Sequence, residues 1–378
     1  MELNYDQIKK IIESCHLNFL IGSGASKPYL QTLGTIEDLL TDLAAKDDDD
    51  KKTVVEASIK KHYFDVAVKG NLKIQKGTSA KLKATKENYS GFIEALNTIL
   101  IKRKSNLIGK QVNLFTTNMD LFLEETLENS NVAFNDGFSG RLNPVFGTEN
   151  YHNTIKKTSP HNEYQSDVPL FNLFKMHGSV NWKERGDAIF YDYGLEILND
   201  IDKVTLNTTD VLEIGYDDAG TWKYNSVDDL YAKTAIAKTA NHDAYLEAYN
   251  KLVMINPTKE KFKTTTINYT FYELLRMYSN HLERENSVLF VFGFSFADEH
   301  ICQITKRVAK SNPTLLIVIF AFCKEDKESI EKLIHNIPNV KYIYDESNTK
   351  NYSLDVINSE YFNKISDELN NPKESKKS

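Results

Sequence analysis

Four short stretches carry residue types that could do chemistry. Gly22-Ser23-Gly24-Ala25-Ser26 closes an apolar run. Glycines let a backbone turn sharply and approach a ligand, and amides at a following helix start can hold phosphate. Thr116-Thr117-Asn118-Met119-Asp120 sets two hydroxyls, an amide and a carboxylate at the end of a second run. The Asn118 amide can both donate and accept, which suits a hydroxyl-rich ligand or an attacking water. His177-Gly178 closes a third run, and an imidazole suits general-base work at neutral pH. Gly293-Phe294-Ser295 closes a fourth.

Each stretch also has a plainer reading. A G-x-G alone is a strand-to-helix turn, and Lys27 stands where a third dinucleotide-binding glycine belongs. Asp120 could cap the helix that follows it. A lone histidine is more often structural than catalytic. Asp298 and Glu299 read as first-turn acids that suit a helix dipole, and His300 as helix surface.

These endings need a scaffold that brings them together. Apolar segments recur as Leu17 to Ile21, VNLFTT, FNLFKM, LVMI, SVLFVFGF, TLLIVIFAF and VKYIY. They are mostly unalternated, as in strands covered on both faces. Helical patterns separate several of them, among them ENYSGFIEALNTILIKR, LFLEETLE, TFYELLRMYSNHL, ADEHICQITKRVAK and KESIEKLIHNI. The alternation predicts an α/β fold, a Rossmann-like parallel sheet with helices on both faces. Such sheets bind ligands at the carboxyl ends of their strands, where all four stretches lie.

Ile8, Ile11, Ile12 and Cys15 recur at helical spacing, and Thr35 suits the N-cap of the helix in TIEDLLTDLAA. AKDDDDKK reads as a solvated loop. The rhythm weakens between residues 139 and 250, which predicts a smaller inserted helical or irregular lobe. DDLYAKTAIAKTANHDAYLEAYNKL is its helical part. One domain over residues 1–366 and a frayed tail over 367–378 complete the expected organisation.

Composition narrows the function. The chain has 378 residues, 41% hydrophobic, with a formal charge of -7, so it can bury a core and is a poor default binder of nucleic acid. Cys15, Cys302 and Cys323 form no C-x-x-C pair, which argues against a disulfide framework and a cysteine-rich zinc site. Cys15 and Cys323 read as buried thiols, and a cytoplasmic setting fits. The charged, amphipathic start does not read as a signal peptide, and no run approaches the ~18 apolar residues of a membrane span.

In order, the four stretches resemble the sirtuin family, whose members carry a Gly-Ala-Gly-x-Ser turn, Thr-Gln-Asn-Ile-Asp, His-Gly and a later Gly-x-Ser. The zinc ribbon that sirtuin deacylases place after His-Gly has no counterpart in SVNWKERGDAIFYDYG, so no zinc is expected. The chain instead resembles the sirtuin-like NAD-hydrolysing domains of bacterial antiphage defence. It is most similar to the stand-alone subunit that works with a HerA-like hexameric ATPase.

The resemblance implies NAD as substrate, with nicotinamide and ADP-ribose as products. It implies that Asn118 holds ribose hydroxyls or water, that His177 is the base, and that Asp120 orients Asn118 or the nicotinamide amide. Gly22, Ser23, Gly24, Ala25 and Ser26 would cradle the pyrophosphate and its ribose. Thr117 would line the pocket, and Gly293 and Ser295 would contact the adenine side. A homo-oligomer regulated by a partner, without direct nucleic-acid or membrane contact, is the expected assembly. A non-catalytic NAD or ADP-ribose binding subunit and an NAD-dependent deacylase are the competing functions. A dehydrogenase is disfavoured by the missing fingerprint glycine.

Overall fold

The computed structural model describes residues 3–32, 36–103, 108–161, 164–216, 222–223, 226–254 and 265–371. Its centre is a seven-stranded sheet. The strands are β1 (His16–Ile21), β2 (Gln111–Thr116), β3 (Ala133–Asn135), β4 (Leu170–Lys175), β5 (Ser287–Phe292), β6 (Leu316–Phe320) and β7 (Val340–Ile343). They lie in the order β7-β6-β5-β1-β2-β4-β3, every pairing parallel. With helices on both faces, this is the Rossmann-like α/β architecture read from the sequence. The chain order reverses at β1, where an open α/β sheet forms its ligand crevice.

Successive side chains of a strand point to opposite faces, so each central strand feeds two cores. Phe19, Leu114 and Phe290 meet Ile8, Phe92, Leu96 and Phe362 on one face. Leu20, Phe115 and Val291 meet Leu274, Tyr278 and Val308 on the other. Residues of β4 and β5 are buried throughout, which is why those runs lack alternation.

One polar feature runs through the second face. Asn18, Asn113 and Asn172 stand in register on β1, β2 and β4. The Asn113 amide donates to Asn18 Oδ1 at 2.8 Å, and the Asn172 amide donates to Asn113 Oδ1 at 3.0 Å. His281 Nδ1 lies 3.1 Å from the Asn113 amide nitrogen. This ladder favours the observed register, because a slip would leave more of its amides buried without partners; Asn172 Oδ1 at its end is already unpaired.

Several expectations are corrected. LVMI forms no strand; Met254 makes an isolated antiparallel bridge to Gly178, and residue 255 lies outside the described residues. The long helical stretch after residue 227 is two helices, Val227–Lys233 and Ala240–Tyr249, the second begun by a Thr239–His242 capping box. The last helix, Asn363–Asn370, is ordered where fraying was expected from residue 367, and residues 372–378 lie outside the described residues. In AKDDDDKK only the first part is loop: Asp49 caps the helix Asp50–Tyr63. Thr35 lies outside the described residues. Cys302 is the buried thiol, while Cys15 and Cys323 are half-buried.

Helices of residues 139–250 also pack on a helix from outside that stretch. The helix Asp50–Tyr63 packs against Val227–Lys233 and Ala240–Tyr249. Lys60 donates to Asn250 Oδ1 at 2.8 Å, and Ser58 Oγ accepts from the Leu212 amide at 2.9 Å. The stretch after His177-Gly178 becomes an antiparallel pair, Trp182–Arg185 with Ala188–Tyr191. An aromatic cluster of Phe138, Phe146, Trp182 and Tyr191 holds it.

Burial, with the Arg284 guanidinium nearby, pushes His16 and His281 down to about 4. Both imidazoles therefore take up protons more readily in the unfolded chain. Their contribution is present above pH 6.5 and is lost as pH falls towards 4. His281 should make stability fall by up to about 1.4 kcal/mol per pH unit within that window, and the half-buried His16 by less. Denaturant unfolding at pH 7, 6 and 5 should show His281→Gln with a shallower decline than the parent; equal slopes would contradict it.

Candidate functional site

The carboxyl ends of β1, β2, β4 and β5 open on one cavity of about 850 Å³. Ser23, Gly24, Ala25 and Ser26 line it from the turn after β1. Thr117, Asn118 and Asp120 line it from the end of β2, and His177 from the end of β4. Gly293 and Ser295 complete that group from the end of β5. Gly22 is the one predicted site residue that is not a wall residue; its carbonyl accepts from the Asn118 amide at 3.1 Å.

The glycines serve a purpose that sequence reading did not foresee: they let two turns touch backbone to backbone. The Gly22 amide donates to Phe292 O at 3.1 Å, and the Gly24 amide to Gly293 O at 2.9 Å. A Cβ on Gly22 would lie 2.2 Å from Gly293 O, and one on Gly24 2.8 Å from Gly293 Cα. Gly293 itself has φ +63°, and a Cβ there would sit 2.5 Å from the Ala25 nitrogen. The Ala25 amide donates to Gly22 O. The amides of Gly22, Gly24 and Ala25 are thus committed within the protein. Lys27 is the only Lys or Arg among the described cavity-lining residues, so the residue that breaks the fingerprint brings the cation.

Thr116 and Asn118 tie the second ending to the first. Thr116 Oγ1 donates to Ile21 O at 2.8 Å and accepts from the Asn118 amide N–H at 3.0 Å. Asn118 is only 6% exposed, and its Oδ1 is buried without a hydrogen-bond partner. A buried acceptor left unsatisfied costs roughly 1–3 kcal/mol. A ligand hydroxyl or water donating to it would remove that cost, so Asn118 fits a ribose or a nucleophilic water. Asp120 spends both oxygens inside the protein: Oδ2 accepts from Ser26 Oγ at 2.6 Å, and Oδ1 from the Phe122 amide at 3.2 Å. The N-cap of the following helix is Leu121, without a side-chain cap bond, so Asp120 does not cap it; Asp120 holds the first helical amide and reaches Asn118 through Ser26, whose Oγ accepts from the Asn118 side-chain amide at 3.4 Å. Tyr89 closes this cluster, its hydroxyl 3.1 Å from Ser26 Oγ; burial first, and Asp120 second, hold its phenol far above the ordinary value.

A buried ion pair stands behind these loops. Lys175 Nζ lies 3.1 Å from Glu124 Oε1 and donates to the Asp120 carbonyl. Ser179 Oγ donates to Glu124 Oε1 at 3.1 Å, binding the loop after His177 to the same carboxylate. Burial raises the Glu124 carboxyl above its usual range, and Lys175 opposes the rise. Sequence reading passed over both residues; a lysine inside an apolar strand was the available signal. Gly178, at φ +80°, lets the 253–254 segment pass closely against its own backbone, since a Cβ there would meet Val253 O at 2.3 Å.

His177 is largely buried, with Nε2 3.1 Å from Asp298 Oδ2. Asp298 does cap the helix Glu299–Ser311, accepting from the Ile301 amide at 3.0 Å, but a purely structural reading of it is incomplete. No His, Cys, Asp and Glu cluster able to hold a metal occurs among the described residues. Among them, too, no helix is long and apolar enough to cross a membrane.

The interlocked turns make a stability prediction. Gly22→Ala and Gly293→Ala should each cost roughly 2–4 kcal/mol, because backbone rather than a flexible side chain blocks the new methyl. Gly109→Ala, with nothing within 4 Å of its Cβ position, should cost under about 0.5 kcal/mol. Thermal unfolding of the three variants checks this, and equal melting temperatures would contradict it.

No curated protein matches the chain. Residues 241–343 match the SIR2-like domain family. The matched stretch runs from the helix Ala240–Tyr249 through β7, so it holds Gly293, Ser295 and Asp298 but not the first three endings. This match supports the sirtuin-like reading and is compatible with NAD-using activity.

Proposed function

We propose that the chain is an NAD hydrolase that cleaves the nicotinamide–ribose bond to give nicotinamide and ADP-ribose. The observation that carries this reading is the meeting of Asn118, with its unpartnered buried oxygen, and His177 in one cavity large enough for a dinucleotide. Nicotinamide leaves neutral from a cation, so the protein's work is to hold the ribose, place water and stabilise positive charge developing on the sugar. The described lining carries Asp120, Asp298, Asp326 and Asp355 against Lys27. That balance suits a cationic sugar, with Lys27 serving the pyrophosphate.

In this reading Asn118 Oδ1 accepts from a ribose hydroxyl or the attacking water. His177 takes the proton from that group. Asp120 acts through Ser26, keeping the Asn118 amide turned to Gly22 O and its oxygen turned away. Ser295, exposed at the end of β5, serves the adenine side.

The proposal extends to antiphage defence by NAD depletion, in a homo-oligomer paired with a HerA-like ATPase in the cytoplasm. The overall resemblance of the sequence to such stand-alone subunits, and the lack of zinc-ribbon cysteines after His177-Gly178, support this extension. An acidic chain would gain any nucleic-acid contact through such a partner.

Chromatography of free nicotinamide after incubation with NAD tests the reaction. The parent should release it, and His177→Ala and Asn118→Ala should each lose roughly 10²- to 10⁴-fold in rate. Parental rates in both variants would remove the assignment. NAD binding without nicotinamide release by the parent would favour the binding subunit, and deacylation of an acyl-lysine peptide the deacylase.

A further inference from the structure

Asp298 reaches His177 from a different part of the chain, at the end of β5, and its two oxygens have different tasks. Oδ1 accepts from the Ile301 amide as a helix cap, and Oδ2 faces His177 Nε2 at 3.1 Å. Asparagine and serine cap helices about as well as aspartate, so capping alone does not call for the charge. Both side chains are shielded, at 16% and 8% exposure, so water competes weakly for the contact.

The backbone that delivers Asp298 is held in a costly shape. Gly293 has φ +63° and Phe296 φ +59°. Phe296 is bulky and 1% exposed, and such residues rarely adopt left-handed backbone. It is anchored in the second core and meets the Phe294 ring edge-on at 5.0 Å. The loop is thus over-determined by packing, and Asp298 is fixed at its end.

We propose that Asp298 is a positioning residue for His177. Its Oδ2 accepts the Nε2 proton, selects the Nε2–H tautomer and leaves the Nδ1 lone pair to act as the base. When Nδ1 takes a proton from a ribose hydroxyl or from water, the Nε2 proton stays in place. The resulting imidazolium faces a carboxylate, and the carboxylate gains no proton. This rests on the assignment of His177 as the base. The sequence signal was present in Ser295-Phe296-Ala297-Asp298, but a first-turn acid has an ordinary structural explanation that conceals a second role.

The test uses Asp298→Asn and Asp298→Ser, which both keep a capping side chain. Nicotinamide release should show kcat lowered roughly 10²- to 10⁴-fold with KM within about twofold. Long-range proton–nitrogen NMR of the parent, with the His177 signal identified by its loss in His177→Gln, should show the proton on Nε2. In Asp298→Asn that single tautomer should become a mixture. Parental kcat in both Asp298 variants, or a parental His177 protonated on Nδ1, would overturn the inference. If His177→Gln matches the parent rate, the base assignment fails instead, and the NMR result still decides whether the pair exists.

Discussion

The site depends on the contact between two turns that have no side chains to separate them. The turn after β1 donates backbone hydrogen bonds to the end of β5 and the turn that follows it, from Gly22 to Phe292 O and from Gly24 to Gly293 O. Any Cβ at these positions would strike backbone. Because β1 and β5 are neighbours in the sheet, the contact continues their pairing past the strand ends and closes one side of the crevice. A glycine-rich turn here serves packing first. Whatever the turn does for a ligand, it does with Ser23 and Lys27 and with the position it imposes on Asn118, since the Ser26 hydroxyl is committed to Asp120, Tyr89 and Asn118.

From that contact the polar groups follow in order. Gly22 O holds the Asn118 amide, Ser26 joins Asn118 to Asp120, and Lys175 holds the Asp120 carbonyl while facing Glu124. Breaking one partner of a buried pair such as Lys175–Glu124 costs about 3–5 kcal/mol, whereas replacing both can be neutral. The pair therefore does more to set geometry than to add stability. It connects the loop carrying Asn118 with the loop carrying His177, whose separation decides whether both reach one ligand.

The sheet was legible because its strands are buried on both faces and bounded by helical patterns. Even register left a trace: Asn18, Asn113 and Asn172 each stand three residues before the last residue of β1, β2 and β4. That spacing is the asparagine ladder written in the sequence. The endings were legible as well, since polar residues after apolar strands mark the ligand edge of a parallel sheet. What escaped was tertiary. LVMI has strand composition, but among its described residues Met254 alone makes a β-bridge, across the chain to Gly178. The helix Asp50–Tyr63, before β2, packs on Val227–Lys233 and Ala240–Tyr249, far after it, which no local pattern reports. Asp298 has a complete local explanation as a cap, so only geometry reveals the imidazole beside it.

We propose that the ends of β1, β2, β4 and β5 form one dinucleotide site. Amide hydrogen exchange with and without a non-hydrolysable NAD analogue tests it most directly. Protection is expected together in residues 22–27, 116–121, 176–179 and 293–298, with little change near His16 and His281 at the opposite end of the sheet. Binding that protects other surfaces and leaves these four segments unchanged would contradict the account.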